Sequence, residues 1–422
     1  MEKHVLMISI VPPFPDDQGN RVVTRNVMDT VISCGYQIDL ILQGGYDQKK
    51  FEEHYQGHVN VFQTGLKKDF KEHVHMPLKQ ELQEKVRGIL QNSMEDPYQE
   101  AILQELFLAA NHYHPFSFLS DETVNMAVRL VKSRVYDFIL CNYIYSLRAV
   151  KELKEKQNLP PVIVITHDAI SRLDKQALEY GIHTEHRACS VAMEAQCLNY
   201  ADIVCCITSY EQKYFKNIGV HAKCIRMEYD AYERIGELIV DETAYENKII
   251  SFFASANPLN EKGIHGFLQH CWEEILEKEQ HMKLLIMGNI CSKIGTKYKN
   301  VTLAGRMSEE ALLENMKKSF LSINPVYLGT GLKIKSVDSI CMGLPLVSFD
   351  CGIEGLEDLE EIAFLRASQW EDFTEKILLL SRDKKRWECM RLKSKEAARK
   401  RFSKEGVYRE FVEEIRKIQM LE

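Results

Sequence analysis

The sequence predicts an α/β protein made of two doubly wound parallel-sheet domains that face each other, and three observations predict it. Continuous apolar runs such as VLMISIV at 5–11 and PVIVITHD at 161–168 lack the alternation of a half-exposed strand and read as strands buried on both faces. Helix-length segments separate the runs, which implies parallel pairing through right-handed crossovers. The alternation occurs twice over, in a chain whose 422 residues exceed one ordinary core.

The first run passes through a loop, PPFPDDQGNR, into a helix with Val23, Val27 and Val31 on one side and Gly35 at its end. QIDLIL at 37–42 is the next strand. From residue 47 to about 130 the pattern turns mainly helical and polar, with Pro77 opening a helix that carries Leu82, Val86 and Ile89. Strands resume with YDFILCNY (136–143), PVIVITHD and ADIVCCIT (201–208). The second half starts near Asn247. There KIISFFA (248–254) is a strand, 263–276 a helix, KLLIMG (283–288) and VTLAG (301–305) strands, and Ser308 the start of another helix. The domains are drawn as residues 1–235 and 236–400, followed by a charged C-terminal helix, 401–422, that can pack back on the first domain.

The 45% hydrophobic and 27% charged residues describe a globular chain, and a net charge of −7 gives no case for nucleic acid as the main partner. No run approaches the ~20 apolar residues of a membrane span, and the chain opens on a strand rather than a signal peptide. A cytoplasmic location is expected, with room for peripheral contact at the inner membrane face. The twelve cysteines contain no C-x-x-C pair, and Cys205, Cys206 and Cys341 sit inside apolar runs as small core residues. Neither structural zinc nor a disulfide framework is expected. His112, His114, His183 and His186 match no ligand spacing, so no metal is assigned. Lys67, Lys68 and Lys71, near His73 and His75, could meet a lipid surface or an acidic acceptor, but the intervening acids favour a solvated face.

The most informative stretch is PVYLGTGLKIKSVDSICMGLPLVSFDCGIEGL at 325–356. It follows a buried-strand run, SFLSIN (319–324), and reads as glycine turn, helix, glycine stop, proline-started strand and second glycine loop. Gly329 and Gly331 bracket the turn, Ile334, Val337, Ile340 and Cys341 form the helix's apolar face, and Gly343 with Pro345 ends it. A glycine turn feeding a helix start is an anion site, because free N–H groups and the helix dipole both point at the loop. Lys333 and Lys335 add cations where the dipole alone would prefer acids, which makes sense if a diphosphate is shared there. For Lys335, pairing with Asp338 three residues on is the competing reading.

These residues resemble a GT-B fold glycosyltransferase of the family 4 kind (glycosyl transferases group 1). Its second-domain signature, G-T-R-x-K-x-x-E-A-x-A-x-G-x-P-V-V followed by G-x-E-G-L, stands here as GTGLKIKSVDSICMGLPLVS and GIEGL. SANPLNEKGIHGFLQHCWEEI (255–275) resembles the start of the same domain. In the first half the loop with Gly19, the Thr166–His167–Asp168 string and ADIVCCIT resemble family segments. The match is strong over 248–356 and patchy before it. The family's Glu is Asp338 here, one methylene shorter, and its Arg is Lys333, which keeps the charge and loses the two-pronged fork. A second family glutamate would fall on Thr330, and the hinge string N-G-V-D reads Glu228, Tyr229, Asp230.

The resemblance implies two Rossmann-like domains facing across an interdomain cleft, and transfer of a sugar from a nucleoside-diphosphate sugar to a hydroxyl with retention. It implies no cofactor and no metal. The donor half of the site would comprise Asn257, Lys262, Gly329, Thr330, Gly331, Leu332, Lys333 and Asp338, the last on the ribose hydroxyls. For Lys262 an ordinary lysine before a helix is the competing reading, and for Asn257 a turn former. The catalytic half would comprise His167, facing the sugar, Asp168 and Gly19. Asp168 either orients the imidazole or caps the next helix, and Gly19 either lets substrate approach the backbone or is a turn glycine. Arg21 is a phosphate contact or a solvent-facing arginine. The acceptor would be a glycan, a lipid-linked or a protein-linked hydroxyl, and the role a hexosyl-type transferase in polysaccharide or glycoconjugate biosynthesis. Two other readings stay open: a catalytically silent GT-B partner that stabilises another transferase, and a nucleotide-sugar epimerase.

Overall fold

The computed structural model describes residues 3–15, 19–66, 115–172, 189–295 and 298–420. They fall into two units, Met1–Met227 together with Arg409–Glu422, and Glu228–Tyr408. The first holds strands β1 (Lys3–Ser9), β2 (Tyr36–Gln43), β3 (Val59–Thr64), β4 (Phe138–Asn142), β5 (Val162–Ile165), β6 (Ile203–Cys206) and β7 (Lys223–Arg226). They form one sheet in the order β3-β2-β1-β4-β5-β6-β7, parallel at each pairing. Every residue of β4, β5 and β6 is buried, so both sheet faces are covered there, as the unbroken apolar runs require.

The second unit repeats the plan with β8 (Ile249–Phe253), β9 (Lys283–Met287), β10 (Val301–Gly305), β11 (Leu321–Asn324), β12 (Leu346–Phe349) and β13 (Phe364–Ala367). The order is β10-β9-β8-β11-β12-β13, again parallel. In each sheet the chain starts in the interior, winds to one edge, and returns beside its first strand. The windings reverse between β1 and β4 and between β8 and β11, the places where doubly wound sheets open a crevice at their strand carboxyl ends.

Two expectations change. The stretch 47–130 is not wholly helical: VNVFQT forms β3, registered on β2 from Ile38↔Val59 to Gln43↔Thr64. As an edge strand it is partly exposed and lacks a continuous apolar run. The helix opened by Pro77 lies outside the described residues. The helix expected over 263–276 starts earlier, at Pro258, and divides at Cys271 into Pro258–His270 and Trp272–Lys278. Its start is set by Asn257, whose side chain caps it. The last helix, Lys404–Met420, spans the division between units, and its later part lies on β7 through Lys223 Nζ to Glu414 Oε1 at 2.7 Å and Arg226 N to Glu410 Oε2 at 3.3 Å. No described helix is long and apolar enough to cross a membrane.

Candidate active site

In the second unit the β8 and β11 ends run into residues 254–257 and 325–333. Gly329 and Gly331 have φ of +115° and +77°, values glycine adopts without a Cβ clash, and a Cβ on Gly329 would also meet Leu259 at 3.2 Å. The turn delivers the chain into the Ile334–Met342 helix, which stops at Gly343. Lys333 is the N-cap of that helix rather than a first-turn residue, and its ammonium folds back onto Thr330 O at 2.5 Å and Gly331 O at 2.8 Å.

Lys335 Nζ donates to Asn260 Oδ1 at 2.6 Å and lies 5.0 Å from the centroid of the Phe252 ring. Burial, reinforced by the charge on Lys333, brings the Lys335 ammonium down to about 7. Asn260 N in turn donates to Asn257 Oδ1 at 2.8 Å. Asn257, Asn260, Lys335 and Lys333 therefore form a polar edge that joins the two loops of the β8/β11 reversal.

The amides of the turn are less available than a bare glycine loop suggests. Gly331 N donates to Glu354 Oε1 at 3.2 Å, with Glu354 buried in the GIEGL loop. Charge for an anion thus rests mainly on the two lysines. Two oxygens of the same strand end and turn, Thr330 Oγ1 and Asn324 Oδ1, are buried with no hydrogen-bond partner among the described residues. Asn324 Nδ2 is satisfied, by Ser336 Oγ at 2.9 Å and Gly352 O at 3.3 Å, which pins the second glycine loop to the helix. Leu332 is half-buried on the same turn.

Asp338 is buried, and its Oδ1 accepts from Arg234 Nη2 at 2.6 Å. Burial pushes its carboxyl up to about 6 in spite of the guanidinium. The competing Lys335–Asp338 pair does not form, because each has its own partner. Lys262 is exposed and lines an open groove of about 550 Å³ with His265, Tyr327 and Trp370.

In the first unit the β1/β4 reversal gathers a second polar cluster. His167, just past β5, is buried, and its Nε2 lies 2.6 Å from Asn142 Oδ1 at the end of β4. Asn142 Nδ2 reaches Ser9 Oγ at the end of β1 and Thr24 Oγ1 in the Gly19–Ser33 helix, each at 2.9 Å. The Tyr143 ring stacks on the imidazole with centroids 4.1 Å apart and planes 18° apart. His167 and Tyr143 both adopt positive φ, +64° and +68°, a strain that non-glycine residues carry mostly at functional sites. Burial lowers the His167 pKa to about 3, so the ring is neutral at physiological pH.

Gly19 opens its helix next to Asn20, whose Nδ2 donates to Tyr143 OH at 3.2 Å. Arg21 Nη1 donates to Pro15 O at 3.2 Å. Asp168 is half-buried beside His167. The turn that carries both is held by Glu194, a buried acid that accepts from Ile170 N at 2.7 Å and Ser171 N at 3.2 Å. Burial raises its pKa to about 7. The lysine and histidine clusters at Lys67, Lys68, Lys71, His73 and His75 and at His112, His114, His183 and His186 lie outside the described residues.

Sequence reasoning passed over Asn142, Asn260, Arg234, Glu194 and Glu354. A signal existed for Asn142, a polar residue closing an apolar run, and for Glu354, inside GIEGL. None pointed to Arg234 or Glu194, whose partners are distant in the chain.

Comparison with known proteins fits this geometry. Residues 247–383 match the family model Glycosyl transferases group 1, the part that carries the β8/β11 loops. No curated protein matches the chain by sequence. Among solved structures the chain is similar to sucrose-phosphate synthase from Thermosynechococcus elongatus, with TM-score 0.64 over 100% of both chains at 12% identity. The fold is GT-B. Other GT-B structures like it are a variant of S. aureus TarM solved with fondaparinux, alpha-GlcNAc-glycerol and UDP (TM-score 0.63, 10% identity, 98% and 99% of the chains). HepE of Anabaena, solved with UDP-glucose, gives a TM-score of 0.60 at 13% identity over 98% and 99% of the chains.

Proposed function

We propose that this GT-B protein is a retaining glycosyltransferase that moves a hexosyl group from a nucleoside-diphosphate sugar to an acceptor hydroxyl without a metal. One observation carries the reading: the glycine turn at the β8/β11 reversal gathers the neighbouring ammoniums of Lys333 and Lys335 and the buried Thr330 hydroxyl at the start of a helix. Cations and a hydroxyl donor suit a diphosphate. The solved HepE and TarM complexes contain UDP-glucose and UDP, respectively, which supports the same ligand class. In transfer, charge grows on the leaving diphosphate oxygen, and the two lysines with the helix start stabilise it. The acceptor proton passes to that leaving oxygen on the same face of the sugar, which gives retention without a glycosidase-like carboxylate pair. His167 meets a hydroxyl of the sugar. The acceptor class is a glycan or a lipid- or protein-linked hydroxyl, and the place of action the cytoplasm or its membrane face.

Lys333→Ala is expected to weaken nucleoside diphosphate binding by about 10- to 100-fold, since hydrogen bonds to charged groups are worth about 1.5–3 kcal/mol, and to leave nucleoside binding nearly unchanged. Equal loss of both in calorimetric titration removes the phosphate role. A silent stabilising partner would also release no nucleotide from any donor sugar, and an epimerase would need no acceptor.

Lys335 adds a pH signature. An anion bound nearby favours its charged form, so the bound-state pKa lies above the free value of about 7. Diphosphate affinity should rise as pH falls from above 8 through 7 and level off below it, with proton uptake on binding. Calorimetry in buffers of different ionisation enthalpy measures the uptake, which Lys335→Met should abolish.

A further inference from the structure

We infer that Asn142 is a positioning residue that fixes His167 as its Nε2–H tautomer, so that the imidazole offers a lone pair at Nδ1 and takes a hydroxyl rather than an anion. The sugar as source of that hydroxyl rests on the proposed transferase reading; the tautomer does not.

The assignment follows from where the protons must be. Ser9 Oγ donates its proton to Val11 O at 2.7 Å, and Thr24 Oγ1 donates its proton to Asn20 O at 2.7 Å. A carbonyl can only accept, and each hydroxyl has a single proton, so both hydroxyls can meet Asn142 only as acceptors. The Asn142 atom 2.9 Å from both is therefore its amide nitrogen, which has two protons to give. That orientation turns the amide oxygen to His167, 2.6 Å from Nε2. An amide oxygen cannot donate, so Nε2 carries the hydrogen. In a neutral ring, Nδ1 then holds the lone pair.

The arrangement is built to hold. Ser9, Thr24, Asn142 and His167 come from β1, the first helix, β4 and the turn after β5, and all are buried. The stacked Tyr143 ring fixes the plane of the imidazole, and the positive φ at both ring residues persists only because the surroundings over-determine it. Asp168, next in the chain, is the nearest acid in sequence, and Asn142 presents the ring with a neutral amide where a carboxylate would favour imidazolium. A bare Nδ1 repels a phosphate or carboxylate oxygen and attracts an O–H donor. The first unit's cluster is thereby tuned for a hydroxyl, while the lysines of the second unit are tuned for a diphosphate.

The test is nitrogen NMR on the full-length, ligand-free protein labelled with 15N-histidine, with His167→Gln used to identify the resonances. At pH 7 the wild type should show a protonated Nε2 and a bare Nδ1 at His167. Asn142→Asp should raise the His167 titration midpoint by about two pH units or more, protonate Nδ1 near pH 5, and lower kcat about tenfold or more with donor KM changed less than about threefold. A protonated Nδ1 with a bare Nε2 in the wild type, or an unshifted midpoint in a folded Asn142→Asp protein, overturns the inference. If that variant does not fold, the wild-type tautomer decides alone. Failure of transfer with every donor sugar would remove the transferase reading and leave the tautomer standing, whereas the reversed tautomer would do the opposite.

Discussion

Replacing His167 by alanine is expected to cut sugar transfer by about 10²- to 10³-fold, the usual cost of losing one preorganised hydrogen bond at a reacting group, with nucleoside diphosphate affinity changed by less than about twofold. The split follows from the division of labour. The imidazole belongs to the β1/β4 cluster of the first unit, whereas the lysines proposed to hold the diphosphate belong to the β8/β11 reversal of the second. Removal of the ring also takes the partner from Asn142 Oδ1 and opens space under Tyr143, so a stability loss of about 1–3 kcal/mol should accompany it. Transfer must therefore be measured well below the melting temperature of the variant. A folded His167→Ala protein that transfers at the wild-type rate, or that loses nucleotide affinity in step with rate, would remove His167 from the reaction.

The interior of each sheet was legible in the chain, and of the four edge strands only β10, VTLAG, was. VLMISIV, ILCN, VIVI and IVCC are unbroken apolar strings because β1, β4, β5 and β6 are covered on both faces, and that pattern has few alternative readings. The strands that escaped were β3, β7 and β13, and each lies at a sheet edge. VNVFQT and KCIR carry polar residues on their open sides, and a stretch of four with one buried face has too little pattern to separate it from a loop. FLRA is short and places Arg366 where it pairs with Asp350 and Glu360.

Site legibility divides along a similar line. Gly329, Gly331, Lys333 and His167 were visible because a local turn, a helix start or a strand end gives each a positional meaning. Where His167, Lys335 and Asp338 send their hydrogen bonds was not visible, because those partners are remote. Lys335 finds Asn260 rather than Asp338, and Asp338 finds Arg234. The helix-spacing rule placed Lys335 and Asp338 on one face, but burial of that face against other elements gave each a stronger, long-range partner. Side-chain pairing inside a packed unit is set by topology, and the topology is written in the strands rather than in the charged residues themselves.

Arg401→Ala is expected to lower the stability of the second unit by about 3–5 kcal/mol, the range for removing one member of a buried ion pair. Arg401 grips Glu228 with two prongs, Nε to Oε2 at 2.8 Å and Nη2 to Oε1 at 2.6 Å, and the side chains are only 9% and 3% exposed. Alanine leaves the Glu228 carboxylate buried without its guanidinium, which is the source of the loss. The double replacement Arg401→Met with Glu228→Leu removes both charges, and urea denaturation should show most of the stability restored. If the double variant is as unstable as the single one, packing of the arginine stem rather than charge explains the effect. The pair also reaches the site. Arg401 donates to Gly355 O and Asp358 as well, and Gly355 follows Glu354, the acid on Gly331 N. Loss of Arg401 should therefore loosen the glycine turn and weaken diphosphate binding several-fold even at temperatures where the unit stays folded. In the double variant stability returns but the hold on Gly355 does not, so affinity should stay low; recovery of both together would mean that the turn responds to the stability of the unit and not to Arg401.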